Sequence, residues 1–229
     1  MHKPQTVQRV AVWSRGVRLA HWLMAAGVLG LLATGYLLHW FPGQQAELDY
    51  HYLTGYLLVA GLAVRVYLLL FGRAEAHWRA LMPDAGSGRA ALAMLRFYLS
   101  LGRFPLPRWY AHNPLWGPIY LLIFGVLIAQ VVTGLGVGEY WLAEEPALSW
   151  HTVGARVILG FAILHILAVF LHDLYGTGSD CSAMINGHRT FSRPPLIGGL
   201  DALDARLRSL ENRPPGSGDR GRQSTDTED

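Results

Sequence analysis

The chain has 229 residues, 52% of them hydrophobic and only 15% charged. That length fits one domain, and the apolar residues gather in four runs of membrane-spanning length, 17–38, 51–71, 115–137 and 151–172, apolar nearly all round, which excludes the striped helices of a soluble bundle. The formal net charge of +3 reads as topology rather than nucleic-acid binding, while the single cysteine, Cys181, excludes an internal disulfide, an iron–sulfur cluster and C-x-x-C-H haem attachment.

Residues 1–16 form a polar arm with Lys3, Arg9 and Arg15. The first run is too long for a cleavable signal peptide and no small-residue cleavage site follows it, so it is expected to act as an uncleaved insertion signal. His21 falls within its first turns. Trp13, Trp22, Tyr36 and Trp40 mark its ends as an aromatic belt would, and His39 beside Trp40 reads as interfacial. Gly27, Gly30 and Gly35 permit close approach of a neighbouring helix or a flat ligand.

His51 opens the second run, and Gly55 lies one turn further along the same face, where a missing side chain lets a flat ring lie against the helix. Arg65 returns to that face at the other depth, either snorkelling to the interface or pairing with a cofactor carboxylate. The connection 72–113 contains a turn at 83–86, Ser87 as N-cap, and an amphipathic surface helix over 89–101 that Pro105 and Pro107 end. His77 and His112 in this polar stretch are expected to be solvated.

Asn113-Pro114 introduces the third run, which has no histidine. Gln130 and Thr133 are its polar residues, expected to hydrogen-bond across helices rather than to contact a quinone. The fourth run carries His151 and His165, with Arg156 between them in need of an acidic group such as a propionate. His172, beside Asp173, rivals His165 as a ligand but is placed too near the membrane boundary. Residues 180–191 are expected to form an ordered cap within the tail 176–229, which turns disordered from about residue 213. No internal repeat, P-loop or nucleophile motif is evident.

The segments 1–16, 72–113 and 176–229 hold 16 of the 19 Lys and Arg residues, whereas 39–50 and 138–150 hold none and carry Glu47, Asp49, Glu139, Glu144 and Glu145. The positive-inside rule puts both termini and the middle connection in the cytoplasm. The fold class is then an all-α integral membrane protein, a four-helix transmembrane bundle spanning 17–175. His151 and His165 are fourteen residues apart, a rise of ~21 Å through nearly four turns, so they share a face at two depths. Depth pairs His51 with His151 on the outer side and His21 with His165 on the inner side. Ionisable residues within a span are costly and functional by default, and neutral imidazole ligates haem iron. Two bis-histidine b haems follow, non-covalently held, with no open iron position for oxygen chemistry.

Arg18-Leu19-Ala20-His21-Trp22, His51 with Gly55 and Arg65, His112-Asn113-Pro114, and His151 with His165 together resemble the bacterial di-haem cytochrome b-561 superfamily. The stretch Ser182-Ala183-Met184-Ile185-Asn186-Gly187-His188-Arg189-Thr190-Phe191 resembles the hydrogenase branch, the b-type cytochrome subunit of membrane-bound nickel–iron hydrogenases. The resemblance implies that the four histidines are metal ligands and that the protein passes electrons between a partner oxidoreductase and quinone in the bacterial inner membrane. It also implies an electron-transfer subunit rather than an independent catalyst. A stand-alone quinone oxidoreductase, a formate dehydrogenase subunit, and a transporter or haem-free scaffold are the alternatives. The acidic outer face is where a hydrogenase-like partner is expected to dock.

Overall fold

The computed structural model describes residues 8–41, 45–83, 86–176 and 180–191. The first residues of the arm, the Asp84-Ala85 part of the predicted turn, and the predicted disorder from residue 213 lie outside them. The order is β1 (Gln8–Ala11), α1 (Arg15–Trp40), α2 (Gln45–Phe71), two 3-10 turns (Ala74–Ala76 and Trp78–Leu81), α3 (Ser87–Leu99), α4 (Trp116–Gly138), α5 (Glu144–Tyr175), α6 (Asp180–Asn186) and β2 (His188–Phe191). The helices α1, α2, α4 and α5 are each long and apolar enough to cross a membrane.

Two of them start earlier than the apolar pattern indicates. Glu47 lies in the first turn of α2, and Glu144 and Glu145 in that of α5. Carboxylates are stabilised at a helix N-terminus by its partial positive charge, so the acidic residues extend these helices rather than separate them. His51 and His151 consequently sit inside their helices instead of opening them. Glu145 has ψ 85°, a break in the first turn of α5. Pro146 follows, and the residue before a proline is pushed out of the α region.

Packing runs by hairpins. α1 lies along α2 and α4 along α5, whereas α5 barely approaches the backbones of α1 and α2. Gly27 and Gly61 set the first contact: an added Cβ would come 2.8 Å from the Leu58 nitrogen and 2.8 Å from the Met24 nitrogen respectively. Leu58, Leu62, Ile123, Leu127 and Ile158 form the central core. Elsewhere the spans expose large apolar side chains, such as Leu122 at 67% and Leu164 at 61%, as a lipid-facing surface does.

The two ends of the bundle differ. At the hairpin end lie the short α1–α2 and α4–α5 connections. At the capped end, β1 and β2 pair antiparallel with Ala11 opposite His188 and Gln8 opposite Phe191. The small ribbon was not foreseen, because four-residue strands leave too little alternation to read. Arg18 donates to the Ile185 carbonyl, and Trp22 Nε1 donates to Met184 O at 2.8 Å, seating α6 over the start of α1. This bears out the ordered cap expected over 180–191.

α3 buries Met94 and Phe97 and exposes Leu92, Leu95 and Leu99. Ser87, the predicted N-cap, is its first helical residue, and Gly86 takes the cap position one residue earlier. Its end also differs from expectation: Leu101 (φ 52°) and Gly102 (φ 81°) turn left-handed, and Gly102 N–H reaches Phe97 O at 3.0 Å, before either proline.

Gly27→Ala is expected to lower stability in detergent by about 1–3 kcal/mol through overpacking against the Leu58 backbone. Gly125→Ala, where nothing lies within 4 Å of an added Cβ, is expected to raise it by roughly 0.5–1 kcal/mol. Unfolding midpoints of the two variants check this, and movement in the same direction would contradict the packing described.

Candidate functional site

Two histidine pairs bridge the gap between α5 and the first hairpin. At the hairpin end, His51 of α2 faces His151 of α5 with ring centroids 6.3 Å apart. At the capped end, His21 of α1 faces His165 of α5 at 6.4 Å. The structure thus brings together the partners predicted from depth. All four rings are half-buried. A metal–imidazole bond is about 2 Å and the ring centroid lies about 1 Å further back, so two imidazoles on opposite sides of one metal have centroids about 6 Å apart. Either pair can therefore hold one metal between its rings.

The surroundings of the two pairs differ. His165 stacks on Phe161 at 5.5 Å and 13°, with Tyr120 at 5.9 Å and Trp116 at 6.0 Å, while His21 meets Trp22 edge-on at 5.3 Å. The hairpin-end rings are instead hydrogen-bonded: Thr34 Oγ1 is 2.9 Å from His51 Nδ1 and Thr133 Oγ1 is 2.9 Å from His151 Nδ1. Gln130 Nε2 donates to His151 O at 2.7 Å. The expectation of cross-helix hydrogen bonds for Gln130 and Thr133 is met, with the histidine itself as the partner. Thr34 was overlooked because a lone threonine in an apolar run gives no signal until its neighbour is known. An added Cβ at Gly55 would find only Leu31 Cδ2, at 3.8 Å, so the face beside His51 is open to a flat group.

His172 is buried and has both nitrogens occupied: Tyr98 Oη lies 2.6 Å from Nε2 and Asp180 Oδ2 3.2 Å from Nδ1. Tyr98 Oη also accepts from Trp116 Nε1 at 2.7 Å and Asn113 Nδ2 at 3.3 Å, so its own proton goes to His172. Arg189 Nη2 closes the chain on Asp180 Oδ1 at 2.6 Å. Burial drives the Tyr98 hydroxyl up to about 12, against the opposing pull of its Trp116 and Asn113 donors. His172 is thereby tied into the cap, and His165 is the ring that faces His21.

Arg65 does not snorkel. It is 5% exposed, donates from Nη1 to Ala76 O at 2.8 Å, and lies 5.2 Å over the Phe124 ring. The first 3-10 turn folds back over it, offering a carbonyl in place of headgroups. Arg156 is exposed on α5 and makes no side-chain hydrogen bond or ion pair among the described residues. His39 is exposed, edge-on to Trp40 at 5.7 Å, as an interfacial residue would be. His77 is half-buried rather than solvated, and its Nδ1 accepts from Arg79 N–H at 3.2 Å to cap the second 3-10 turn.

His112 is also not solvated. Its ring packs edge-on to Trp13 at 5.0 Å and Tyr120 at 6.5 Å, and Nδ1 is buried without a partner among the described residues. The arm before α1 folds across it, which a polar sequence context does not reveal. Burial, and secondarily the Arg65 charge, lower its pKa to about 4.

A fold of four apolar helices with histidine pairs at two levels defines the class: a membrane b-type cytochrome serving electron transfer. The sequence model of the family described as prokaryotic cytochrome b561 matches residues 12–187, and the chain belongs to that family. It is 30% identical to the probable Ni/Fe-hydrogenase B-type cytochrome subunit of Rhizobium leguminosarum bv. viciae, over 80% of this chain and 90% of the relative. It is 25% identical to the protein of the same name from Cupriavidus necator, over 82% of this chain and 89% of the relative. The probable Ni/Fe-hydrogenase 1 B-type cytochrome subunit of Escherichia coli K12 is 22% identical, over 78% and 90%. No solved structure matches the chain.

The lowered His112 pKa has a consequence for pH. The unfolded histidine binds a proton near 6.5 and the folded one near 4, so stability from neutral His112 is full above the unfolded value. It is lost as pH falls from 6.5 to 4, by up to about 3 kcal/mol. His112→Phe, which keeps the aromatic packing, is expected to flatten that part of the stability–pH curve. An unchanged slope in detergent unfolding would show that His112 titrates normally.

Proposed function

We propose that His51 with His151 and His21 with His165 each ligate one b-type haem. The protein then carries electrons between a hydrogenase-like redox partner and quinone in the bacterial inner membrane. The observation that carries this reading is the spacing of the two pairs, 6.3 and 6.4 Å between centroids. Both match two imidazoles sharing one metal, and both span the gap that α5 leaves against α1 and α2. The names of the relatives support a hydrogenase as the partner. The haems supply one-electron chemistry, with position and potential set by the protein.

The residues divide the work by level. α5 contributes one ligand to each site and fixes their separation, ~21 Å along the helix. Ile158, between them, joins the core formed by Leu58, Leu62, Ile123 and Leu127 and closes the interior to water. Gly55 leaves room beside His51. Arg156, with no carboxylate partner among the described residues, is the proposed partner for a propionate, and Arg65 offers a second guanidinium deeper in. The basic capped end faces the cytoplasm on this reading. The acidic hairpin end, where Trp141 and Trp150 are exposed, receives the partner beside the His51–His151 site.

Single alanine variants test the ligand set. His165→Ala is expected to remove one of the two haem signals and perturb the other less, and His51→Ala to remove the other signal. His172→Ala is expected to keep both. Reduced-minus-oxidised spectra of purified protein provide the reading. Loss of a haem in His172→Ala with retention in His165→Ala would overturn the capped-end pairing.

A further inference from the structure

The hairpin-end pair is held by a device that occurs twice, and the capped-end pair lacks it. Thr34 Oγ1 lies 2.8 Å from Gly30 O and 2.9 Å from His51 Nδ1. Thr133 Oγ1 lies 2.8 Å from Ala129 O and 2.9 Å from His151 Nδ1. A carbonyl oxygen has no proton to give, so each hydroxyl donates its one proton to the carbonyl a turn back in its own helix. Each threonine oxygen must then accept from the imidazole. Both rings therefore carry their proton on Nδ1, and both leave Nε2 bare.

A glycine follows each threonine. An added Cβ at Gly35 would stand 3.6 Å from His51 Cε1, and one at Gly134 3.1 Å from His151 Cε1. A Thr-Gly pair thus lies under each ring, on the helix preceding the one that carries the histidine. The separation from threonine to histidine is 17 residues in the first hairpin and 18 in the second. This short internal correspondence is invisible to a search for sequence repeats, because only three residues in each hairpin share it. Among the described residues neither His21 nor His165 makes a side-chain hydrogen bond; their neighbours are aromatic rings.

We infer that Thr34 and Thr133 are paired positioning residues: they fix the Nδ1–H tautomer of His51 and His151, aim both Nε2 atoms at a shared metal, and lower the reduction potential at that level. An imidazole that donates from its second nitrogen is a more basic ligand, and a more basic ligand favours the oxidised, more highly charged iron. The inference rests on the haem ligation proposed above. It adds that the protein tunes its two levels by different means, hydrogen-bonding hydroxyls at one and aromatic packing at the other.

The test uses the full-length protein purified with its haems. Thr34→Val and Thr133→Val keep the branched shape and remove the hydroxyl. Each is expected to shift the midpoint of one haem to a more positive value, further in the double variant, with the other haem unmoved. The double variant is also expected to bind that haem ~10- to 100-fold more weakly. Thr34→Ser and Thr133→Ser are expected to restore the midpoint. Thr152→Val, whose hydroxyl donates to Leu148 O at 2.9 Å, is expected to shift nothing. His51→Ala identifies which signal belongs to the hairpin end. No shift in the double variant, a shift in the signal that survives His51→Ala, or an equal shift in Thr152→Val would overturn the inference. Retention of both haems in His51→Ala would instead overturn the ligation on which it rests.

Discussion

An imidazole within an apolar span needs partners for both of its ring nitrogens, because an unsatisfied polar group there is costly. How each ring meets that need separates His172 from the two facing pairs. His172 satisfies Nδ1 with Asp180 and Nε2 with Tyr98, and so belongs to the protein's own hydrogen-bond network. His51 and His151 satisfy Nδ1 with threonine and stand with ring centroids 6.3 Å apart. His21 and His165 face one another with aromatic rings around them. The last four face one another in two pairs, and the proposed function places one metal between the rings of each.

The rest of the fold keeps those pairs in register. Gly27 and Gly61 let α1 and α2 approach closely enough to act as one wall. α4 supports α5 from behind and sends Gln130 to the His151 carbonyl. At the capped end the chain Arg189–Asp180–His172–Tyr98–Trp116 links β2, α6, α5, α3 and α4. Trp116 in turn packs beside His165 at 6.0 Å. The polar chain at the capped end thereby reaches His165 through Trp116.

Much of this was legible in the residues themselves. Four unbroken apolar runs announce the spans, and a spacing of fourteen residues between His151 and His165 places them on one helix face. Opposite helix directions then give the pairing. What stayed hidden is long-range or short-lived in sequence. Arg65 looked free to reach the interface because nothing in the chain order shows that Ala76 folds back above it. His112 looked solvated because its polar neighbours in sequence are not its neighbours in space. The acidic turns of α2 and α5 read as loop because hydropathy stops where the apolar run stops, whereas helix stability at an N-terminus is served by charge. Thr34 carries no pattern of its own, and Thr133, legible as a cross-helix hydrogen-bonding residue, gains its particular meaning only from the ring that it supports.

On the proposed function each histidine pair closes on one haem iron. Haem content per chain, combined with near-infrared magnetic circular dichroism of the oxidised protein, addresses it directly, since the energy of the low-spin charge-transfer band identifies the axial ligands. Two b haems per polypeptide are expected, both low-spin and both with bis-histidine ligation. One haem per polypeptide, a high-spin component in the intact protein, or a band belonging to any other ligand pair would contradict it.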